Sequence, residues 1–132
     1  MHVPRTTRVD LSATKNCHCL AARKRAREIT RLYEEKLRPH GLRATQFSIL
    51  AALAQTGPTP LGELADLLGL DRTSLTRSAN RLEDEGWIDE AESDDDRMRK
   101  LKLTPSGREK IERAYPAWEE AQDEVEEQLE TE

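Results

Sequence analysis

The sequence predicts a mainly helical α+β fold. Apolar residues recur at steps of three and four along most of the chain, and glycines and prolines punctuate those stretches. One segment, Lys100-Leu101-Lys102-Leu103, switches to strict polar–apolar alternation. The expected order is two helices, a short helix–glycine–helix pair, a two-stranded hairpin and a long last helix.

Residues 1–15, with Pro4 and several Arg and Thr, read as a loose polar arm. From Cys19 to Arg38, Ala22, Ala26, Ile29, Tyr33 and Leu37 fall at helical spacing, and Pro39 and Gly41 end the run. A second helix is expected from Ala44 to Gln55, with Phe47, Leu50, Ala51 and Ala54 on one face and Gly57-Pro58 as its break. Thr59-Pro60 looks like a helix start, because threonine caps and proline suits the first helical position. Leu61, Leu64, Ala65 and Leu68 make the stripe of that short helix, and Gly69 stops it. Asp71 then caps a fourth helix, which turns Leu75, Ala79 and Leu82 inward and ends at Gly86.

Trp87-Ile88 is strand-like, Asp89 to Asp96 is an acidic loop, and residues 100–103 form the returning strand of a hairpin. Thr104-Pro105 repeats the cap-plus-proline start. In the last helix Ile111, Tyr115, Trp118, Gln122, Val125 and Leu129 step by 4, 3, 4, 3 and 4, a heptad stripe broken only by Gln122. The other faces are acidic, so Ile111, Tyr115, Trp118, Val125 and Leu129 are read as a subunit interface. The alternative is a stripe packed on its own domain. Pro116 is expected to kink or divide this helix.

A length of 132 residues suits one domain, and only 36% of them are hydrophobic against 36% charged, which favours an oligomer that completes its buried surface with a partner. The net charge of −5 argues against a polyanion ligand, but the charge is sorted along the chain. Residues 1–27 hold seven Lys/Arg against one Asp, and residues 97–110 hold six against one Glu. Residues 111–132 hold nine acids against one Arg. Screening acts over about 8 Å, so the local field decides binding. No apolar run of membrane-spanning length and no secretory h-region are present, and Cys17 and Cys19 are too close for an unstrained disulfide; the expectation is a reducing, cytoplasmic setting.

A helix, a tight glycine turn and a helix followed by a hairpin can place the second helix in the major groove of duplex DNA. The outer positions of that helix are Arg72, Thr73, Ser74, Thr76, Arg77, Asn80 and Arg81, with no acid from Arg72 to Leu82. Arginine can grip guanine with two hydrogen bonds, asparagine can do so with adenine, and hydroxyls hold phosphate. Arg97, Arg99, Lys100 and Lys102 make the hairpin basic, which suits backbone and minor-groove contact. Against that stand nine acids and no base from Glu83 to Asp96.

In this order the segments Leu42-Arg43-Ala44-Thr45-Gln46-Phe47-Ser48-Ile49-Leu50, Leu61-Gly62-Glu63-Leu64-Ala65, Leu75-Thr76-Arg77 and Arg81 to Ile88 resemble the MarR family of winged helix-turn-helix regulators. So does Asp95-x-Arg97 before Leu103-Thr104-Pro105-x-Gly107. The resemblance implies one domain over residues 1–132, with dimerisation helices in 1–40 and 106–132 and a DNA-binding lobe in 44–105. It implies a homodimer on a pseudo-palindromic operator, with Arg97 in the minor groove and Asp95 steadying it. It also implies a transcriptional regulator, expected to be a repressor. The residues themselves offer no Gly-rich phosphate loop, and the carboxylates are read as lying on solvated faces, so no catalytic residues, metal or cofactor are expected.

The first helix is similar to that of the organic-hydroperoxide-sensing branch, through Cys19, Arg27-Glu28-Ile29-Thr30 and Tyr33. There the matching cysteine reacts and the tyrosine hydrogen-bonds to it; a second tyrosine of that branch is replaced by Arg23. Arg23, Lys24 and a helix N-terminus are surroundings that attract a thiolate, which makes Cys19, with Cys17, the redox-sensing candidate. A small phenolic or anionic effector and an inert cysteine are the other possibilities. Cys17-His18-Cys19 holds metal-ligand types, but neighbours on one helix point different ways. Two further readings come from other classes: a protein-interaction module without DNA binding, and a thiol peroxidase.

Overall fold

A computed structural model describes residues 8–130, so the first part of the expected N-terminal arm lies outside the described residues. Within it, Ser12–Asn16 form a short 3-10 helix where loose chain was expected. The α-helices are α1 (His18–Leu37), α2 (Ala44–Thr56), α3 (Leu61–Leu68), α4 (Arg72–Asp84) and α5 (Pro105–Glu130), of which α1 and α5 are the longest. Strands β1 (Thr59–Pro60), β2 (Ile88–Glu90) and β3 (Lys100–Leu103) make a three-stranded antiparallel sheet in the order β1-β3-β2.

The expected helix start at Thr59-Pro60 is corrected. Both residues belong to β1, opposite Leu101 and Lys100, and α3 begins at Leu61. Thr59 does not cap: its hydroxyl donates to the Gly57 carbonyl at 2.8 Å and lies 2.8 Å from the Thr56 hydroxyl. Proline is tolerated because β1 is an edge strand. The wing hairpin β2–β3 is thereby joined to the helical lobe by a third strand.

Other punctuation works as read. Gly69 takes the left-handed conformation (φ 65°) that ends α3. Asp71 caps α4, accepting the Ser74 N–H at 2.7 Å and the Ser74 hydroxyl at 2.9 Å. Thr104 caps α5 by accepting the Gly107 N–H at 3.0 Å, and its hydroxyl donates to the Gly86 carbonyl at 2.7 Å. Gly107 itself is a requirement of packing, since a Cβ there would lie 2.0 Å from the Trp87 carbonyl oxygen.

Leu37, Leu42, Ile49, Leu50, Leu53, Leu64, Leu75, Leu82 and Leu101 are fully buried and join α1, α2, α3, α4 and the sheet in one core. Helix α5 is not divided at Pro116. The proline is exposed, while Ile111, Ala114, Ala121 and Val125 on the buried face hold both halves against the rest of the chain. That corrects the heptad stripe as well: Ile111 and Val125 are core residues of this chain, whereas Tyr115 and Leu129 stay exposed. Trp118 stacks on Phe47 (centroids 6.0 Å apart, planes 9° apart) and takes the edge of Tyr115. Helix α1 meets α5 near its C-terminal end, where Lys36 lies 3.1 Å from Glu124; nearer its N-terminus Leu20, Ala22 and Ala26 are exposed. No helix among the described residues is long and apolar enough to cross a membrane.

Candidate nucleic-acid interface

Helix α4 buries Leu75, Ala79 and Leu82 and turns Arg72, Thr73, Arg77, Asn80 and Arg81 to the outside, as 3.6-residue periodicity demands. Thr76 and Ser74 are half-buried, and Ser74 is engaged by the Asp71 cap. The Arg72 guanidinium lies where a Cβ on Gly62 would stand, 2.7 Å from that position, so the missing side chain makes room for it.

In the wing, Arg97 is 94% exposed and Asp95 steadies it twice. One Asp95 oxygen accepts the Arg97 backbone N–H at 3.0 Å and lies 3.5 Å from its Nε. Arg97, Arg72 and Gly62 line one cleft of about 440 Å³ together with Glu63 and Asp66, so the wing tip and the start of α4 adjoin.

Arg99 is not an outward-facing DNA contact. Its Nη2 donates to Asn80 Oδ1 at 3.0 Å and to Glu83 Oε1 at 2.7 Å, and its Nε lies 3.2 Å from Glu90 Oε1. Strand parity explains this: Arg99 shares the face of buried Leu101, two residues on. Three consequences follow. Arg99 ties the wing to α4; it neutralises part of the acidic run from Glu83 to Asp96; and it occupies the carbonyl of Asn80. Lys100 is half-buried opposite Pro60, and Lys102 is exposed.

A second cleft, of about 250 Å³, joins Arg77, Ser78 and Arg81 of α4 to Arg43, Thr45 and Gln46 at the start of α2. The pattern reading missed these three, because Arg43 sits outside the helix-turn-helix in sequence and reaches it only through the packing of α2.

Cys17 and Cys19 are exposed free thiols, and Arg23 Nη2 reaches Cys19 Sγ at 3.7 Å. The tyrosine–cysteine contact does not occur within the chain. Fourteen residues of helix separate Cys19 from Tyr33 by about 21 Å, and the Tyr33 hydroxyl donates instead to Gln122 Oε1 on α5. Burial and the nearby Glu126 carboxylate push the Tyr33 phenol above its ordinary range. Among the described residues no three His, Cys, Asp or Glu gather as metal ligands.

The MarR family model matches residues 42–99, the stretch from the second helix through the wing. The transcriptional regulator MosR of M. tuberculosis, solved in complex with DNA, is 36% identical, with 83% of this chain and 80% of that chain covered and a TM-score of 0.75. The chain belongs to the MarR family. Its likeness extends to the uncharacterized HTH-type transcriptional regulator YwoH of Bacillus subtilis (strain 168), 33% identical over 87 residues, which are 66% of this chain. The chain spans 64% of YwoH's length. Overoxidized AbfR bound to DNA is 27% identical, with 90% of this chain and 91% of that chain covered and a TM-score of 0.73. Both of these structures were solved on DNA, and their cover of this chain runs well beyond residues 42–99.

Proposed function

We propose that this chain is a homodimeric transcription regulator that binds duplex DNA sequence-specifically and acts as a repressor. The observation that carries the reading is the shared cleft of Arg72 and Arg97: it sets a cation held out by Asp95 beside an α4 face free of acids. Arg72, Thr73, Thr76, Arg77, Asn80 and Arg81 would meet base edges and adjacent phosphates, and Arg97 the minor groove. A dimer is supported by exposed Val9, Leu11, Leu20, Tyr115 and Leu129, apolar side chains at the two ends of the chain. A regulator needs no catalytic group, and the DNA-bound relatives favour that role over an enzyme or a protein-only module.

Two signals fit. Cys19 is exposed and touched by a guanidinium, which suits release by oxidation. A cleft of about 610 Å³ lined by Phe47, Ala51, Ile111, Tyr115 and Trp118 lies between α2 and α5, and suits a small aromatic effector.

The test is binding of purified protein to duplex DNA from its own upstream region, with and without an organic hydroperoxide. Arg97→Ala should weaken binding on every sequence, and Arg77→Ala should also blur sequence preference. Unchanged affinity in both variants would refute the interface. Oxidant that releases the wild type but not Cys19→Ser establishes the thiol switch. Release of neither turns the search to the aromatic cleft.

A further inference from the structure

Arg43 stands where two clefts meet. In the smaller it shares the walls with Arg77 and Arg81 of α4. In the larger, about 650 Å³, it lies with Arg27 and Arg31 of α1 and with Arg38 just beyond that helix. Six guanidinium groups therefore run without a break from α4, across the start of α2, onto α1.

In a chain with 26 acidic residues this track has hardly any. Among the described residues Arg27, Arg31, Arg38, Arg77 and Arg81 make no ion pair. The one acid lining either cleft, Glu34, is already committed: one oxygen lies 3.5 Å from Arg43 Nε and the other accepts the Ala44 N–H at 3.2 Å. Rows of like charge repel one another, and among the described residues Glu34 is the one acid in either cleft to set against six guanidinium groups. The matching ligand is a polyanion with regularly spaced oxygens, which the planar fork of arginine binds in pairs. Continuity with the α4 face selects nucleic acid over an acidic protein segment.

We infer that the α1–α2 junction is a second, sequence-independent anchor for the phosphate backbone of duplex DNA, outside the bases that α4 reads. The inference rests on the DNA-binding reading above, and it adds residues from outside the helix-turn-helix to the footprint.

The test uses the full chain and the duplex it selects from a random-sequence pool, with affinity followed as KCl is raised. Removing one arginine from a phosphate lowers the slope of log K against log salt by about 0.9. Arg31→Ala/Arg38→Ala should therefore lower it by about 1.8 per subunit, again about 0.9 for each arginine. The bases selected should be the same as for the wild type. Arg113→Ala, which removes a cation paired with Glu109 on α5, should leave the slope alone. A double variant with the wild-type slope overturns the anchor, and so does an equal fall in Arg113→Ala. A changed oligomeric state with an unchanged slope would give the track to a protein partner and also overturn it. If the wild type binds no duplex, the DNA reading itself falls and takes the anchor with it.

Discussion

Gly107→Ala sets two physical effects against each other. Alanine is the better helix former by about 1 kcal/mol, so propensity alone makes the change stabilising. The structure makes the opposite demand. The new Cβ would sit 2.0 Å from the Trp87 carbonyl oxygen and 2.8 Å from Leu103 Cδ1. To reach an ordinary separation the start of α5 must retreat by about 1 Å or more. That stretches the Thr104 N–H to Trp87 carbonyl bond, now 3.1 Å, and the Thr104 hydroxyl to Gly86 carbonyl bond, now 2.7 Å. Overpacking costs about 1–3 kcal/mol, a 2.0 Å approach to backbone belongs at the upper end of that range, about 3 kcal/mol, and each of the two weakened bonds adds up to about 1 kcal/mol. With the propensity gain subtracted, the net is a destabilisation of about 2–4 kcal/mol. Urea unfolding at one fixed protein concentration measures it, since self-association makes stability concentration-dependent. The melting temperature should fall by about 10 °C at 3 kcal/mol. A variant as stable as the wild type would show that the α5 start yields freely and that the close approach constrains nothing.

Arg99→Leu should cost about 1–2 kcal/mol of stability, by leaving Glu83 and Glu90 without their half-buried partner, and should weaken DNA binding through a displaced wing; wild-type stability and affinity together would show the clamp to be idle. The Ser74 backbone N–H, followed by its hydroxyl, holds the Asp71 carboxyl below its ordinary value of 3.8, so the contribution of this cap is present above that value and is lost as pH falls through the lowered one. Asp71→Ala should therefore show a flatter acid limb in stability against pH, and an identical limb would refute the cap. Tyr33→Phe removes the bond to Gln122 and should cost about 1 kcal/mol in the same urea assay, with no change meaning that water replaces it.

The parts of the fold legible in sequence are those decided within a few residues. Gly69 ends a helix because of its own backbone freedom, and Asp71 and Thr104 cap because their side chains reach amides three residues on. Strand β1 was not legible, because two residues carry no period and Thr59-Pro60 is locally a good helix start; only the partner strand β3 overrides that. Pro116 misled for a similar reason, as buried contacts on either side of it outweigh a local break. The large residues of α5 drew attention away from Ala114 and Ala121, which lie deepest. At the site, the exposed face of α4 and the Asp95–Arg97 pair were readable. Arg99 as a clamp needed strand parity, and Arg43 needed the tertiary packing of α2.

Strand β3 lies between β1 and β2, with Leu101 facing Thr59 on one side and Glu90 on the other. A wing hinged at its base would have to give up its freedom on meeting a groove, and that loss would be charged against affinity. Here the same strand is held from both sides, and Arg99 next to it is bound to α4. The hairpin's conformational entropy is surrendered during folding, so a duplex bound as proposed would meet a wing whose base has little left to lose.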